Sequence, residues 1–245
     1  LKMDGMLCAS VMDCPVFGGK LISFDDSKVK TLRGVKAVVR VDATTVAVVA
    51  DTWWRAKNAL AQLPIVWDEG PNAKVNSAMI ADHVREGLTA RGDYAGRKEG
   101  DAIYAVSNAA KTVEAVYSSP FLSHTPMEPM NCTAQVFDDR CEIWVGTQNQ
   151  GNDRTVVAKM LGIQETSVVI NRTLMGGTFG RRSSKTADFT IEAVEAARGE
   201  EAPVQIIWSR EEDIRGGYYR PLFVHKMRGA LDDKGMPLAW HQTVV

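Results

Sequence analysis

"CEIWVGTQNQGNDRTVVAKMLGIQETSVVINRTLMGGTFGRR", residues 141–182, alternates strand and helix signals and ends in a glycine loop. "CEIWVGT" reads as a strand. "NDRTVVAKMLG" reads as a helix, with Asn152 or Asp153 as cap, Val156, Val157, Met160 and Leu161 on one face and Gly162 to end it. "TSVVINRTLM" is a second strand. Beyond the loop, "KTADFTIEAVEAARG" turns Phe189, Ala193, Val194 and Ala197 inward, closes at Gly199, and is followed by a third strand, "PVQIIWS". Right-handed crossovers predict that these strands are largely parallel. Parallel strands deliver the loops after them to one edge of the sheet, where ligands of such sheets bind. Three loops are predicted there: "TQNQGN", "GGTFGRRSS" and "REEDIRGGYYRP".

In "GGTFGRRSS" the glycines allow positive φ and close backbone approach. The helix that follows, with Ser183 or Ser184 as cap, offers unpaired N–H groups to an anion, and Arg181 and Arg182 are available to add charge. A plain glycine turn with solvated arginines reads the same residues equally well. The loop lacks the GKS or GKT of a triphosphate loop and the GxGxxG of a dinucleotide fold. Phe179 has either to tuck into the core or to stand over a ligand, and its position favours the ligand. Gln148 ends the first strand on the same edge, where its amide can pair with a bound group or simply with water. In "SHTPMEP", Pro126 and Pro129 forbid the helix that would make His124 and Glu128 a metal pair, so Glu128 reads as a carboxylate fixing a loop. "RGGYYRP" sets Tyr218, Tyr219 and Arg220 as pocket lining or as loop packing.

Upstream, "MLCASV", "VKAVVRV" and "TVAVVA" are strands. "DTWWRAKNALAQL" is a helix capped by Asp51 that buries Ala56, Leu60 and Leu63, and "IVWDEG" returns as a strand. Residues 71–112, turn-rich apart from a helix over Ser77 to Gly87, read as a linker. The formal net charge of -1, with no run of five like charges, removes the basic excess of a nucleic-acid binder. No apolar run reaches the roughly 20 residues of a membrane-spanning helix. Cys8, Cys14, Cys132 and Cys141 lack the clustering an iron–sulfur centre needs and read as structural thiols. The opening "LKMDGMLCAS" and the final "LAWHQTVV" are expected to be cut from a longer polypeptide.

The order "HTPMEPMNCTA", "WVGTQNQ", "AKMLGI", "VINRTLMGGTFGRR", "EAVEAAR", "WSREEDI" resembles the molybdenum-cofactor large subunit of the xanthine dehydrogenase and aldehyde oxidase family. Within it, "HTPMEPMN" and the doubled arginine look most like the branch of isoquinoline 1-oxidoreductase beta subunits and bacterial aldehyde dehydrogenases. The resemblance implies an α+β fold: a small α/β hammerhead domain over 1–70, the linker at 71–112, and the N-terminal part of the first molybdopterin-binding domain over 113–245. It implies that Gln148 lies beside the metal's ligands, and that Gly176, Gly177, Phe179 and Gly180 belong to the loop against metal and pterin, Phe179 through its backbone N–H. Tyr218, Tyr219 and Arg220 match a substrate-binding region. Ser183 stands where purine oxidisers carry an acidic contact, which counts against purines.

The implied chemistry is hydroxylation of an aldehyde or N-heterocycle with water-derived oxygen. The general base is a glutamate beyond Val245, so the catalytic residue itself is unknown here. The implied cofactor is molybdopterin, in its cytosine dinucleotide form and carrying molybdenum. Electrons leave to an iron–sulfur small subunit. This fragment alone is expected to lack cofactor and activity. The competing readings are an unrelated anion-binding α/β domain and a non-catalytic scaffold.

Overall fold

In a computed structural model, which describes residues 1–90 and 94–245, the order of elements begins β1 (Leu7–Asp13), β2 (Lys20–Phe24), β3 (Val35–Arg40), β4 (Thr45–Ala50), α1 (Trp53–Leu60), β5 (Ile65–Asp68), α2 (Ser77–Gly87), α3 (Ala102–Asn108) and β6 (Lys111–Ser119). It continues with β7 (Asn131–Val136), β8 (Cys141–Val145), α4 (Gln150–Leu161), β9 (Val168–Arg172), α5 (Asp188–Ala197), β10 (Val204–Ile207), α6 (Arg210–Arg215), β11 (Phe223–Leu231) and β12 (Pro237–Val244). Two units result: Leu1–Ala73 with Ser123–Tyr218, and Lys74–Leu122 with Tyr219–Val245.

The first unit is built on a seven-stranded sheet in the order β3-β4-β1-β10-β7-β8-β9. All six residues of β4 are buried, and their alternation sorts two cores. Ala47 and Val49 join Phe189, Ala193, Val194 and Ile206 under α5, whereas Val46 and Val48 meet Leu60 and Leu63 of the α1 region on the opposite face. That two-sided burial is why the segment reads as an unbroken valine-rich run. Each buried valine contributes on the order of 1.5–3 kcal/mol.

The expected run of parallel strands is correct in direction but not in adjacency. β8 and β9 pair in parallel, and β10 pairs in parallel with β1, yet antiparallel β7 lies between β10 and β8. β7 is supplied by a segment far from its partner β10 in sequence, and such pairing leaves no local signal. The consequence for function survives: β1, β8, β9 and β10 point the same way, so the loops after them share one edge. Because β7 runs oppositely, the "HTPMEP" loop before it arrives at that edge too.

The second unit is an antiparallel sheet in the order β12-β11-β6, with α2 packed on β11 and α3 on β12 and β11. The stretch read as a linker therefore holds two helices, α2 at the predicted bounds and α3, whose N-cap Asp101 accepts from Tyr104 N. Residues 91–93 of that stretch lie outside the described residues. The boundary drawn at residue 70 likewise does not separate the first unit, because β1, β3 and β4 are continuous with the sheet of β7–β10. Hydrogen bonding across β1 and β10 joins the two sequence halves.

Two helix starts also differ from expectation. The cap of α1 is Thr52, which accepts from Arg55 N, while Asp51 is taken by the Arg55 guanidinium. α4 begins at Gln150 after Asn149, leaving Asp153 inside the helix and buried. Gly162 ends α4 at φ 71 as predicted.

Candidate functional site

The glycine loop between β9 and α5 is tied to its neighbours by a buried arginine. Arg182 is 1% exposed. Its Nε donates to Gly177 O at 3.1 Å and its Nη1 to Gly146 O at 3.3 Å. Nη2 donates to Glu128 O at 3.1 Å and to Glu128 Oε2 at 3.0 Å. Glu128 Oε2 also accepts from Gly176 N at 2.8 Å, and Glu128 N donates to Gly176 O at 3.1 Å. Glu128 thus fixes a loop, as its proline-flanked setting predicts. Burial pulls the Arg182 guanidinium below its usual value, and the Glu128 charge opposes the change.

Arg181 is equally hidden, at 3% exposure, and faces the other way. Its guanidinium pairs with Asp188 at 2.7 and 3.3 Å and lies 5.3 Å from the Trp208 ring and 5.9 Å from that of Tyr218. Neither arginine is solvated or offers charge to an outside anion, contrary to the anion-loop expectation. Residues Arg181–Ser183 form a short 3-10 turn, and the two side chains leave it toward different buried partners, Asp188 for Arg181 and the carbonyls of three loops for Arg182. The expected cap of α5 by Ser183 or Ser184 is likewise replaced. The helix starts at Asp188 after Ala187, held at φ 51, and Ser184 Oγ donates to Asp188 Oδ1 at 2.8 Å. Asp188 therefore occupies the start of the helix that an anion was expected to use.

On the Arg181 side a cleft of about 380 Å³ is lined by Asp13, Asp42, Asp188, Glu192, Trp208 and Tyr218, among others. Two of its carboxyls, Asp13 and Glu192, are held toward their neutral forms. Burial pushes Asp13 up to about 6, against the hydrogen bond it accepts from Thr45 Oγ1. Burial raises Glu192 well above the usual carboxylate range even though Trp208 Nε1 donates to it at 2.6 Å. Glu212, whose Oε2 accepts from Asp13 N, is pushed by burial up to about 7. A second hollow, of about 510 Å³, is lined by Glu128, Thr133, Trp144, Thr173, Leu174 and Ile207, among others.

Gln148, Gly177 and Phe179 line neither hollow; they stand on the open edge of the sheet. Gln148 is exposed, and its N–H donates to Arg182 O at 2.9 Å, which brings the "TQNQ" loop against the glycine loop. Phe179 is 72% exposed and its backbone sits at φ 51. Gly177 and Gly180 have φ 105 and 98. A Cβ on Gly176 would fall 2.6 Å from Glu128 Cβ, and one on Gly177 would fall 3.2 Å from Pro126 Cβ. Among the described residues, the non-glycine positions with positive φ are Thr125, Phe179 and Ala187, and all three border this edge. A left-handed non-glycine residue costs roughly 1–2 kcal/mol, and such outliers gather at functional sites.

Tyr218 belongs to the first unit, where its hydroxyl lies 3.2 Å from Thr186 Oγ1. Tyr219 and Arg220 belong to the second unit, where Arg220 bridges Leu122 through backbone hydrogen bonds of 2.8 and 3.3 Å. Cys132 and Cys141 are buried and Cys8 and Cys14 half-buried, all as free thiols. Burial raises the thiols of Cys8, Cys132 and Cys141. Asp13, Glu192 and Glu212 went unremarked in the sequence; they lie in a strand and two helices with nothing local to mark their convergence.

Compared with known proteins, residues 87–245 match the family model of the molybdopterin cofactor-binding domain. A membrane-bound aldehyde dehydrogenase (pyrroloquinoline-quinone) of Gluconacetobacter polyoxogenes is 29% identical over 241 residues, which cover 94% of this chain and 31% of that protein. The isoquinoline 1-oxidoreductase subunit beta of Brevundimonas diminuta is 28% identical over 245 residues, covering 96% of this chain and 31% of that protein. The chain thus spans about a third of the length of these curated relatives. Among solved structures, quinoline 2-oxidoreductase from Pseudomonas putida 86 superposes with TM-score 0.76 at 21% identity, over 100% of this chain and 36% of that one. The Cu,Mo-CO dehydrogenase gives TM-score 0.77 at 18% identity, over 100% of this chain and 37% of that one. At such identities the two structures speak for the fold.

Proposed function

Because the chain belongs to the molybdopterin cofactor-binding domain family, we propose that it is part of a molybdenum-dependent oxidoreductase that hydroxylates an aldehyde or N-heterocycle with oxygen from water. The observation that carries this reading is the open glycine loop, with Gly177 at φ 105 and the exposed, strained Phe179 at φ 51, locked from beneath by Arg182. The residues fit a large cofactor laid against backbone. Gly176 and Gly180 are exposed, so the backbone at both is open to a ligand. When bound, the group supplies a two-electron acceptor and the means to activate water. The overall change joins substrate and water into hydroxylated product, releasing two electrons and two protons.

In this reading Gly176, Gly177, Phe179 and Gly180 form the surface that meets the cofactor, with the Phe179 N–H as a preorganised donor. Gln148 orients a ligand oxygen from the adjoining loop. Tyr218 receives the substrate, and an iron–sulfur protein takes the electrons. We assign the pterin its cytosine dinucleotide form. The general base is a glutamate outside this chain. The names of the aldehyde and isoquinoline relatives support the substrate classes.

The test is elemental analysis of the protein expressed from its own gene, together with oxidation of an aldehyde and of a quinoline under an artificial electron acceptor. About one molybdenum per chain and turnover of either substrate are expected. Protein without molybdenum, or with a quinone cofactor of the kind one relative's name carries, would overturn the proposal.

A further inference from the structure

The step from Gly180 to Ser183 turns two charged side chains inward at an edge otherwise open to solvent, and one of them, Arg182, is bonded to three of the loops that meet there. We propose that Arg182 is the positioning residue of that site, the single buried group that sets the glycine loop, the "HTPMEP" loop and the Gly146–Gln148 turn in register. This inference rests on the cofactor reading above and deepens it.

The geometry is that of a planar fork with its donors spent on three loops. Nε holds Gly177 O, Nη1 holds Gly146 O, and Nη2 holds the carbonyl and carboxylate of Glu128. The carbonyl of Arg182 itself accepts from Gln148 N at 2.9 Å and from Thr147 Oγ1 at 3.3 Å. Gly177 and Gln148, which come from different strands, are thereby bonded to opposite ends of one residue. Lysine has the charge but a single donor atom, whereas guanidinium offers five N–H groups in a fixed plane.

The neighbouring glycines fit the same device. A Cβ on Gly146 would fall 2.6 Å from Met175 Cγ and 3.3 Å from Arg182 Nη1, and one on Gly176 would meet Glu128. Glycine at 146 and 176 lets the three loops close around the guanidinium. A charge at 1% exposure that is matched by a carboxylate and several carbonyls presents nothing to a ligand directly. Its effect has to pass through the backbone it holds.

Hydrogen exchange followed by mass spectrometry, on the protein expressed from its own gene, tests the clamp, and molybdenum content of the same preparations tests its role. Arg182→Lys removes the fork. Glu128→Ala removes the carboxylate from a half-exposed position and leaves the buried arginine in place, so it guards against a misfolded first variant. Val157→Ala, a truncation on the buried face of α4, supplies a loss of stability away from the loops. In Arg182→Lys and Glu128→Ala, amides of 125–129, 146–149 and 176–180 should exchange about tenfold faster or more, as loss of charge-assisted hydrogen bonds implies, with β1, β4 and β10 still protected. Molybdenum should fall in both, and should be retained in Val157→Ala at a matched unfolding midpoint. Unchanged loop exchange in both variants overturns the clamp. Equal molybdenum loss in Val157→Ala reduces Arg182 to an ordinary structural residue and overturns the positioning role. Wild-type protein without molybdenum overturns the cofactor reading and the role built on it, and the exchange data then judge the clamp by themselves.

Discussion

Gly217→Ala should be among the most damaging single-methyl additions in the first unit, and the reason is the guanidinium of Arg181. A Cβ at 217 would lie 2.2 Å from Arg181 Nη2 and 2.8 Å from Cζ, and the backbone there has φ 72. The left-handed backbone alone costs an alanine roughly 1–2 kcal/mol. Forcing a methyl into a filled space adds about 1–3 kcal/mol. Arg181 has little freedom to withdraw, being 3% exposed, paired with Asp188 and set among the Trp208, Phe189 and Tyr218 rings. Gly162→Ala is the internal control, since it has φ 71 and nothing within 4 Å of its Cβ. The expected losses are therefore about 2–5 kcal/mol at 217 and about 1–2 kcal/mol at 162. Urea unfolding followed by tryptophan fluorescence reports mainly the first unit, which holds every tryptophan except Trp240. Introducing Arg181→Met should abolish the excess cost at 217, a coupling that a double-mutant cycle isolates. If Gly217→Ala costs no more than Gly162→Ala, Arg181 moves aside freely and the rigid pair inferred here is wrong.

Gly177→Val, with φ 105 and Pro126 Cβ 3.2 Å from the added Cβ, should cost roughly 1–2 kcal/mol or more in the first unit and, where the protein is still folded, release molybdenum and abolish turnover; normal molybdenum content would show that the loop does not meet the cofactor. Glu212→Gln should change how stability depends on pH. Burial holds the folded-state carboxyl up at about 7 against an ordinary 4.5, so the folded form binds its proton more tightly than the unfolded one. Wild-type stability from this group is greatest below 4.5 and declines as pH rises toward about 7, a change of roughly 3 kcal/mol. The glutamine variant should lack that decline, and a difference between the two proteins that is flat from pH 4 to about 8 would refute it.

Strands β1, β3, β4 and β8–β10, the glycine terminus of α4 and the exposure of Phe179 were legible because each depends on local rules: apolar runs, a left-handed glycine, a large ring stranded among glycines. The course of β7 and the joining of 1–73 to 123–218 were not legible, since both depend on pairings between residues distant in the chain. Asp51 and Thr52 are adjacent residues of equally good capping type, and the choice fell to Thr52 because Arg55, one turn along, claims Asp51. The arginines were misread for a sharper reason. Outside helices and strands there is no periodicity to tell an inward side chain from an outward one, and charge argues for solvent. Only the carbonyls of Gly146, Gly177 and Glu128, drawn from three loops, make the interior acceptable to Arg182.

The two buried arginines make a common structural argument about the exposed loop they follow. Removing one partner from a buried ion pair costs about 3–5 kcal/mol, while a well-packed apolar replacement of the whole pair is often neutral, so pairs of this kind are poorly explained by stability. What Arg181 and Arg182 provide that apolar side chains would not is direction. Arg182 reaches back to the loops around β7 and β8, and Arg181 reaches forward to Asp188 at the start of α5 and to Gly217 beyond α6. Just before them lie Gly177, half-buried and at φ 105, and the strained Phe179, exposed and at φ 51. A loop that exposes an aromatic ring and left-handed backbone to solvent has no reason of its own to stay so arranged. It stays because adjacent side chains anchor it to both flanks of the sheet edge, and that leaves its backbone free to face a ligand.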